Sequence, residues 1–311
     1  MKKGIIWFRN NLRLADNECI TRALDECDEV LCVYIMETPI WNPSAETPRM
    51  GSNRAQFILE SLRDLEEEIR ERGGSIEFIK GRAVDEIPRV MESFGAEHCY
   101  AQKEDAWEET EQERLLANQT NLILTGGKGI WGEADLPFAL ESLPAVFSSF
   151  RRKVEKKMQI RSLFSSPKSI SCSWNSKTEL PTLTSLGFEE YPKDERAVLD
   201  FRGGAREAKK WMHLWIWERD CLKEYKETRN GMVGADYSSK LSPWLSTGRL
   251  DASLRSRFIG KSKNTRRSGW PMIVPTGYSS NYFGANFSAL LPVVTEPKYL
   301  KGMELRIRKK R

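Results

Sequence analysis

Two short stretches of this chain carry side chains whose types and spacing suit chemistry. The run Ser238-Ser239-Lys240-Leu241-Ser242-Pro243 places three hydroxyls and an ammonium within five positions. Hydroxyls with neighbouring backbone N–H groups can donate to the oxygens of a diphosphate. Lys240 adds a positive charge, and Tyr225 upstream adds a phenolic donor. The same run reads equally well as a helix start, with Ser242 as the cap and Pro243 as the first helical residue. The second stretch is Gln102-Lys103-Glu104, at the end of a strand-like run, where a carboxylate offers acceptor oxygens beside an ammonium. Because Asp105, Glu108 and Glu109 follow closely, Glu104 also reads as one acid on a solvated face.

Other chemistries find little support. The six cysteines show no close paired spacing, and the two histidines, His98 and His213, are far apart, so neither a zinc site nor a disulfide framework is expected. The cysteines read as reduced and mostly buried. No apolar stretch is long enough to span a bilayer, so no membrane partner is expected. The chain enters the strand-like run Gly4–Phe8 almost at once, which leaves no visible signal or transit peptide. That points to an intracellular protein of unknown compartment. The net charge of +5 is unevenly placed: residues 260–311 hold eleven Lys/Arg against two Asp/Glu, so they carry +9 and the rest of the chain −4. Any attraction to nucleic acid argued from charge would rest on that tail alone.

The elements that must position these residues follow from hydrophobic periodicity. Apolar runs at 4–9, 29–36, 75–80, 97–101 and 121–125 predict strands, and helical patterns fall between them at 18–27, 54–72, 84–94 and 106–117. The clearest helix carries Ile58, Leu62, Leu65 and Ile69 on one stripe and stops at Gly73-Gly74. This alternation predicts an α/β fold, a five-stranded parallel Rossmann-like sheet covered on both faces. Sites in such sheets lie at the carboxyl ends of the strands, which places Arg9-Asn10-Asn11, Glu37 and Gln102-Lys103-Glu104 on the functional rim. From 126 to about 195 the pattern breaks into a connector with a basic amphipathic piece at 147–157. A helical region then opens over Ala205–Tyr225, with Trp211, Leu214, Trp215 and Leu222 at core-like spacing, followed by a second segment over Tyr237–Leu250. The aromatic stripe reads as core packing.

Several motifs carry a family resemblance. Trp7-Phe8-Arg9-Asn10-Asn11-Leu12-Arg13-Leu14-Ala15-Asp16-Asn17 resembles the photolyase and cryptochrome signature after strand one, with Asn11 in place of the usual Asp. Tyr225-Lys226-Glu227-Thr228-Arg229-Asn230 and Asp236-Tyr237-Ser238-Ser239-Lys240-Leu241-Ser242-Pro243-Trp244-Leu245 are similar to the segment that opens the family's flavin domain. Asp135-Leu136-Pro137-Phe138 and Phe201-Arg202-Gly203-Gly204 are similar to motifs of the DASH class. The resemblance covers roughly residues 1–259 and implies domains at 1–130 (antenna-type α/β), 131–195 (linker) and 196–259 (start of an all-α FAD-binding domain). It implies FAD held by Tyr225, Ser238, Ser239, Lys240, Leu241 and Ser242, and a 5,10-methenyltetrahydrofolate antenna held by Glu104. It further implies a monomer acting by blue light on cyclobutane pyrimidine dimers, in single-stranded DNA, by electron transfer from FAD. A signalling cryptochrome without repair activity and a non-functional truncated product are the other readings, so enzyme status stays open.

The tail, 260–311, reads differently. Residues 268–295 carry no charge and no lasting period, broken by Pro271, Pro275 and Pro292. Joining the last base of each codon to the first two of the next forces Ala from Trp270-Pro271, Asp from Met272-Ile273 and Leu from Asn281-Tyr282. The flanking codons then permit Val-Ala-Asn-Asp-Ser-Thr-Tyr-Trp-Leu-Phe-Phe-Glu-Leu-Leu-Trp-Arg-Glu-Phe-Phe-Arg, which resembles the flavin-cradling helix of the DASH class. The expectation is a lost reading frame near Gly260, a flavin pocket left incomplete, and weak or no FAD binding. Trp211, Trp215 and Trp244 would then lack partners and stand exposed, making the chain prone to aggregate.

Overall fold

A computed structural model of the protein describes residues 1–126, 136–139, 142–144, 146–157 and 162–248 apart from 177, 191, 193, 222, 229 and 232. Asp135, Leu222, Arg229 and everything after Gly248, the tail included, lie outside the described residues.

Five apolar runs form strands β1 (Lys3–Phe8), β2 (Glu29–Glu37), β3 (Ile76–Gly81), β4 (His98–Gln102) and β5 (Leu122–Thr125). They pair in parallel in the order β3-β2-β1-β4-β5. Both faces of the sheet are covered, which is why β1 and β2 read as near-continuous hydrophobic runs. Alternate residues divide between two cores. Ile6, Phe8, Cys32 and Tyr34 pack towards helices α1 (Glu18–Glu26) and α2 (Ser52–Arg70). Ile5, Trp7, Leu31 and Val33 pack towards α3 (Ala83–Phe94) and α4 (Trp107–Ala117). The α2 stripe is as expected: Leu62, Leu65 and Ile69 are buried, and the chain turns away after Arg70 through Gly73 at φ 81°.

The basic helix α5 (Phe147–Lys157) forms where the sequence suggests. The connector beyond it packs back on the sheet domain. Ile170 donates to the Arg72 carbonyl at 2.8 Å, and Val30 donates to that of Ser171 at 2.8 Å. Trp174 reaches Glu77 through its indole N–H at 2.6 Å. Ile170, Leu183, Leu186 and Phe188 complete the core on the α1/α2 side.

The helical region departs from the sequence reading in three ways. The helix expected over Ala205–Tyr225 is α6 (Ala205–His213), which runs into a wide π-turn at Leu214–Glu218. There Arg219 N–H bonds the Leu214 carbonyl at 2.9 Å, and the chain then breaks at Asp220, whose φ is 50°. The extra residue in that turn lets Trp215 and Ile216 both face inward. Downstream only α7 (Tyr225–Thr228) and α8 (Ser242–Ser246) are helical among the described residues, so the segment expected over Tyr237–Leu250 contracts to five residues. Finally, Trp211, Trp215 and Trp244 are buried, contrary to the exposure expected of them. Their partners come from within the chain: Phe57 of α2, Tyr225 and Leu241 join them in one apolar cluster. Among the described residues, no helix is long and apolar enough to cross a membrane.

Candidate functional site

The strand order reverses direction at β1, with β2 on one side and β4 on the other, so the β1 and β4 loops splay apart there. This switch point is where open α/β sheets form ligand crevices. The sequence-expected rim residues converge on it. Asn10, from the β1 loop, donates its amide to Glu104 Oε1 at 3.0 Å. Glu104 is 1% exposed, so it is not one acid of a solvated face. Its backbone N–H donates at 2.9 Å to Glu113 Oε1, which also receives Arg9 Nη1 at 2.5 Å. Arg9 lies over the Trp7 ring, 4.5 Å from its centre, and reaches the Gln102 carbonyl at 3.4 Å. Gln112 continues the network, donating to Glu37 Oε1 at 2.7 Å, and Glu37 also caps the start of α3 by accepting Ala83 N–H at 2.9 Å. Lys103 points to solvent.

The guanidinium of Arg9 thus bonds the buried Glu113 carboxylate and acts electrostatically on Glu37. Burial pushes the Glu113 carboxyl above its ordinary value, against the opposing pull of Arg9. It raises Glu37 likewise, against the Ala83 and Gln112 hydrogen bonds. Glu113 and Gln112 escaped the sequence reading. Their signal was present: they stand three and four residues before Leu116, the buried anchor of α4, which puts both on its inward face.

The serine segment is built by indoles. Trp211 donates to the Ser239 carbonyl at 2.6 Å, and Trp215 donates to that of Asp236 at 3.1 Å. The aromatic stripe is therefore core packing, as expected, and it also pins the backbone of 236–239. Lys240 sits at φ 51°, a left-handed turn, and its ammonium reaches Ser238 Oγ at 3.5 Å. Ser238, Ser239 and Lys240 are half-buried and Ser242 is exposed. Tyr225 and Leu241 lie in the interior, with the Tyr225 ring edge-on to Trp215. The helix-cap alternative fails here: Leu241 is the cap residue of α8, Ser242 lies inside the first turn, and no side chain caps it. A cleft of about 730 Å³ opens beside the segment between Arg219, Glu224, Asp236 and Tyr237, and the serines do not line it.

α6 is seated directly on the sheet domain. Gly203 N–H donates to Glu60 at 2.7 Å, Gly204 N–H to Ser61 Oγ at 3.1 Å, and Ala205 N–H to Asp64 at 2.6 Å. The α6 N-terminus is thereby capped by side chains of α2, with the Asp64 charge favourably placed at the positive end of the helix. Trp244 reaches the same turn, donating to the Arg202 carbonyl at 2.8 Å.

The sequence matches the DNA photolyase family over residues 4–169. The chain belongs to the DNA photolyase family. Within that family it is 35% identical over 284 residues to "Cryptochrome DASH, chloroplastic/mitochondrial" of Solanum lycopersicum, an alignment covering 82% of this chain and 48% of the relative. The crystal structure of a Synechocystis sp. cryptochrome superposes with a TM-score of 0.83 at 31% identity, covering 93% of this chain and 61% of that one. An archaeal photolyase from Sulfolobus tokodaii shares the fold, with a TM-score of 0.68 at 20% identity over 94% of this chain and 60% of that one. That photolyase is described with two FAD molecules and the implication of a novel light-harvesting cofactor. This photolyase-family chain spans about half the length of the curated relatives it matches.

Proposed function

We propose that this chain supplies the antenna-type α/β domain and the diphosphate-binding opening of a flavin site in a blue-light-dependent flavoprotein. The proposed domains are residues 1–130, a linker at 131–195 and the FAD-domain start at 196–259. The observation that carries the reading is the serine segment. Ser238 and Ser239 are partly open to solvent, Ser242 is exposed, and none of the three caps α8.

The residues fit the diphosphate of FAD. Hydroxyls donate to its oxygens and Lys240 offsets its charge, while Trp211 and Trp215 hold the backbone in place beforehand. The interior places of Tyr225 and Leu241 suit a supporting role, the phenol and the side chain fixing the segment from beneath. When bound and excited by light, FAD supplies the electron for splitting cyclobutane pyrimidine dimers, the chemistry proposed here on single-stranded DNA. At the rim, Glu104 is held by Asn10 with its backbone fixed by Glu113, a stiff carboxylate suited to the N–H groups of a pterin such as 5,10-methenyltetrahydrofolate. Signalling without repair uses the same arrangement and differs only in what surrounds the flavin. The tail after about Gly260 is proposed to be out of frame, which the underlying DNA decides directly.

The test is the absorption spectrum of the purified 311-residue chain. A flavin band after incubation with FAD and gel filtration supports the serine reading, and its absence in Ser238→Ala/Ser239→Ala/Ser242→Ala ties the band to these hydroxyls. A near-ultraviolet pterin band that is lost in Glu104→Gln supports the rim reading. A wild-type chain without a flavin band is what the lost frame predicts. A flavin band that survives in the triple-serine variant overturns the serine reading, and a wild-type chain without the pterin band overturns the rim reading.

A further inference from the structure

The serine segment meets the sheet domain a second time, at its far end, and the contact again turns on a glycine. Gly248 has φ 70°, a conformation that side-chain-bearing residues rarely adopt. A Cβ there would stand 2.1 Å from the Asn10 carbonyl oxygen and 2.7 Å from the Asn11 Cα, backbone atoms with no rotamer to swing aside. The contact is bonded as well as tight. Leu12 N–H donates to the Thr247 carbonyl at 3.2 Å, and Arg13 Nη1 donates to the Gly248 carbonyl at 3.0 Å. The other arm of the same guanidinium, Nη2, holds the Asp16 carbonyl at 2.9 Å, and Asp16 is itself buried in a left-handed turn at φ 48°. Arg13 therefore clamps two backbone carbonyls, one from each domain. Between this clamp and Ser242 lies only the short helix α8.

We propose that the loop Asn10–Arg13 positions the serine segment for its ligand through this seat, with Gly248 and Arg13 as positioning residues. The seat fixes the downstream end of the segment, while Trp211 on α6 fixes Ser239 and, through Gly203 and Gly204, refers it to α2. The hydroxyls between these two anchors are then presented in one fixed arrangement, with less disorder to lose on binding a diphosphate. The proposal rests on reading Ser238–Ser242 as the FAD-diphosphate segment.

The test uses the full chain and two readouts. Amide hydrogen exchange across 236–248 is expected to quicken at least 10-fold in Gly248→Ala and Arg13→Ala, with β1 and β2 amides unchanged. The FAD dissociation constant, followed by flavin fluorescence, is expected to rise at least 10-fold in both. Arg13→Lys, which keeps one donor, should recover part of each effect. Leu116→Ala, in the core between the sheet and α4, controls for general destabilisation and should leave FAD affinity unchanged. Should Gly248→Ala or Arg13→Ala leave exchange at 236–248 as in the wild type, or Leu116→Ala weaken FAD equally, the seat has no positioning role. A wild-type chain that binds no FAD is the outcome the lost frame predicts, and the exchange readout then decides the seat alone.

Discussion

The rim at Glu104 and the segment at Ser238–Ser242 solve the problem of holding polar groups in place by different means. At the rim the polar groups hold each other. Glu113 joins Arg9 to the Glu104 backbone, Asn10 holds the Glu104 side chain, and Gln112 carries the network to Glu37. In the serine segment the backbone is held instead, by tryptophan indoles and by close approaches at two glycine sites. The rim should therefore be sensitive to loss of a charge, and the segment to gain of a methyl group. The two regions share one loop: Asn10 gives its side chain to Glu104 and its carbonyl to the Gly248 contact.

The largest effect is expected from Glu113→Ala. It strips the 2.5 Å partner from Arg9, whose side chain is only 6% exposed, and leaves the Glu104 N–H without its acceptor. Breaking a buried pair from one side costs about 3–5 kcal/mol, read from urea unfolding. A loss below about 1 kcal/mol would mean that Arg9 is compensated by Glu37 and Glu104, and that the rim is a looser network than its geometry states. Next comes Gly203→Ala, whose Cβ would stand 2.1 Å from the Phe57 carbonyl oxygen and 2.7 Å from Ser61 N. Overpacking of this kind costs about 1–3 kcal/mol. The change should appear first in the fluorescence of the Trp211/Trp215/Trp244 cluster, before any loss of the sheet. Gly51→Ala is the matched control, since nothing within 4 Å meets its Cβ.

The same contrast explains what the sequence disclosed. All five strands were legible to within a residue at each end, because a parallel sheet buried on both faces writes itself as unbroken apolar runs. Glu104 was legible as a candidate from the strand-end rule, while its burial was not, because the acids around it on α4 mimic a solvated face. Glu113 was hidden for the same reason, and only its spacing to Leu116 marks it. The break at Asp220 was not legible, since Trp215 and Ile216 fit a regular helix stripe as well as they fit a π-turn. The seats at Gly203 and Gly248 depend on the backbone carbonyls of Phe57 and Asn10, 146 and 238 positions away in sequence, and no local pattern encodes such a contact.

Asn11→Asp sharpens the comparison at the loop that both regions share. Asn11 is fully buried; its Oδ1 accepts Arg9 N–H at 3.0 Å, but its Nδ2 finds no acceptor. An unmet buried donor costs about 1–3 kcal/mol. A carboxylate keeps the Arg9 N–H bond, removes the unmet donor, and adds a negative charge between two arginines of the loop, Arg9 and Arg13. The expected gain is about 1 kcal/mol at neutral pH, and it should fade as pH falls through the carboxylate range. A loss in its place would show that the desolvation of the new charge exceeds what the loop returns.

The smallest effect is a change in the pH profile. Burial raises Glu37 above its ordinary 4.5, so the native state holds that proton at pH values where the unfolded chain has released it. The stability linked to Glu37 is thus fully present below 4.5 and is lost as pH rises through the native value. Half-exposed acids with bonded arginine partners, Glu26 and Glu111, are lowered by those side-chain hydrogen bonds and act on the other limb, losing their contribution as pH falls. Glu37→Gln preserves an acceptor for Ala83 N–H and removes the titration. Denaturant midpoints measured between about pH 4.5 and 7 should therefore fall less steeply in the variant, by roughly 1 kcal/mol or less across the window, while the acid limb is unchanged. Parallel profiles for the two proteins would mean that Glu37 is ionised throughout, stabilised by Gln112 and Arg9 more than burial opposes it.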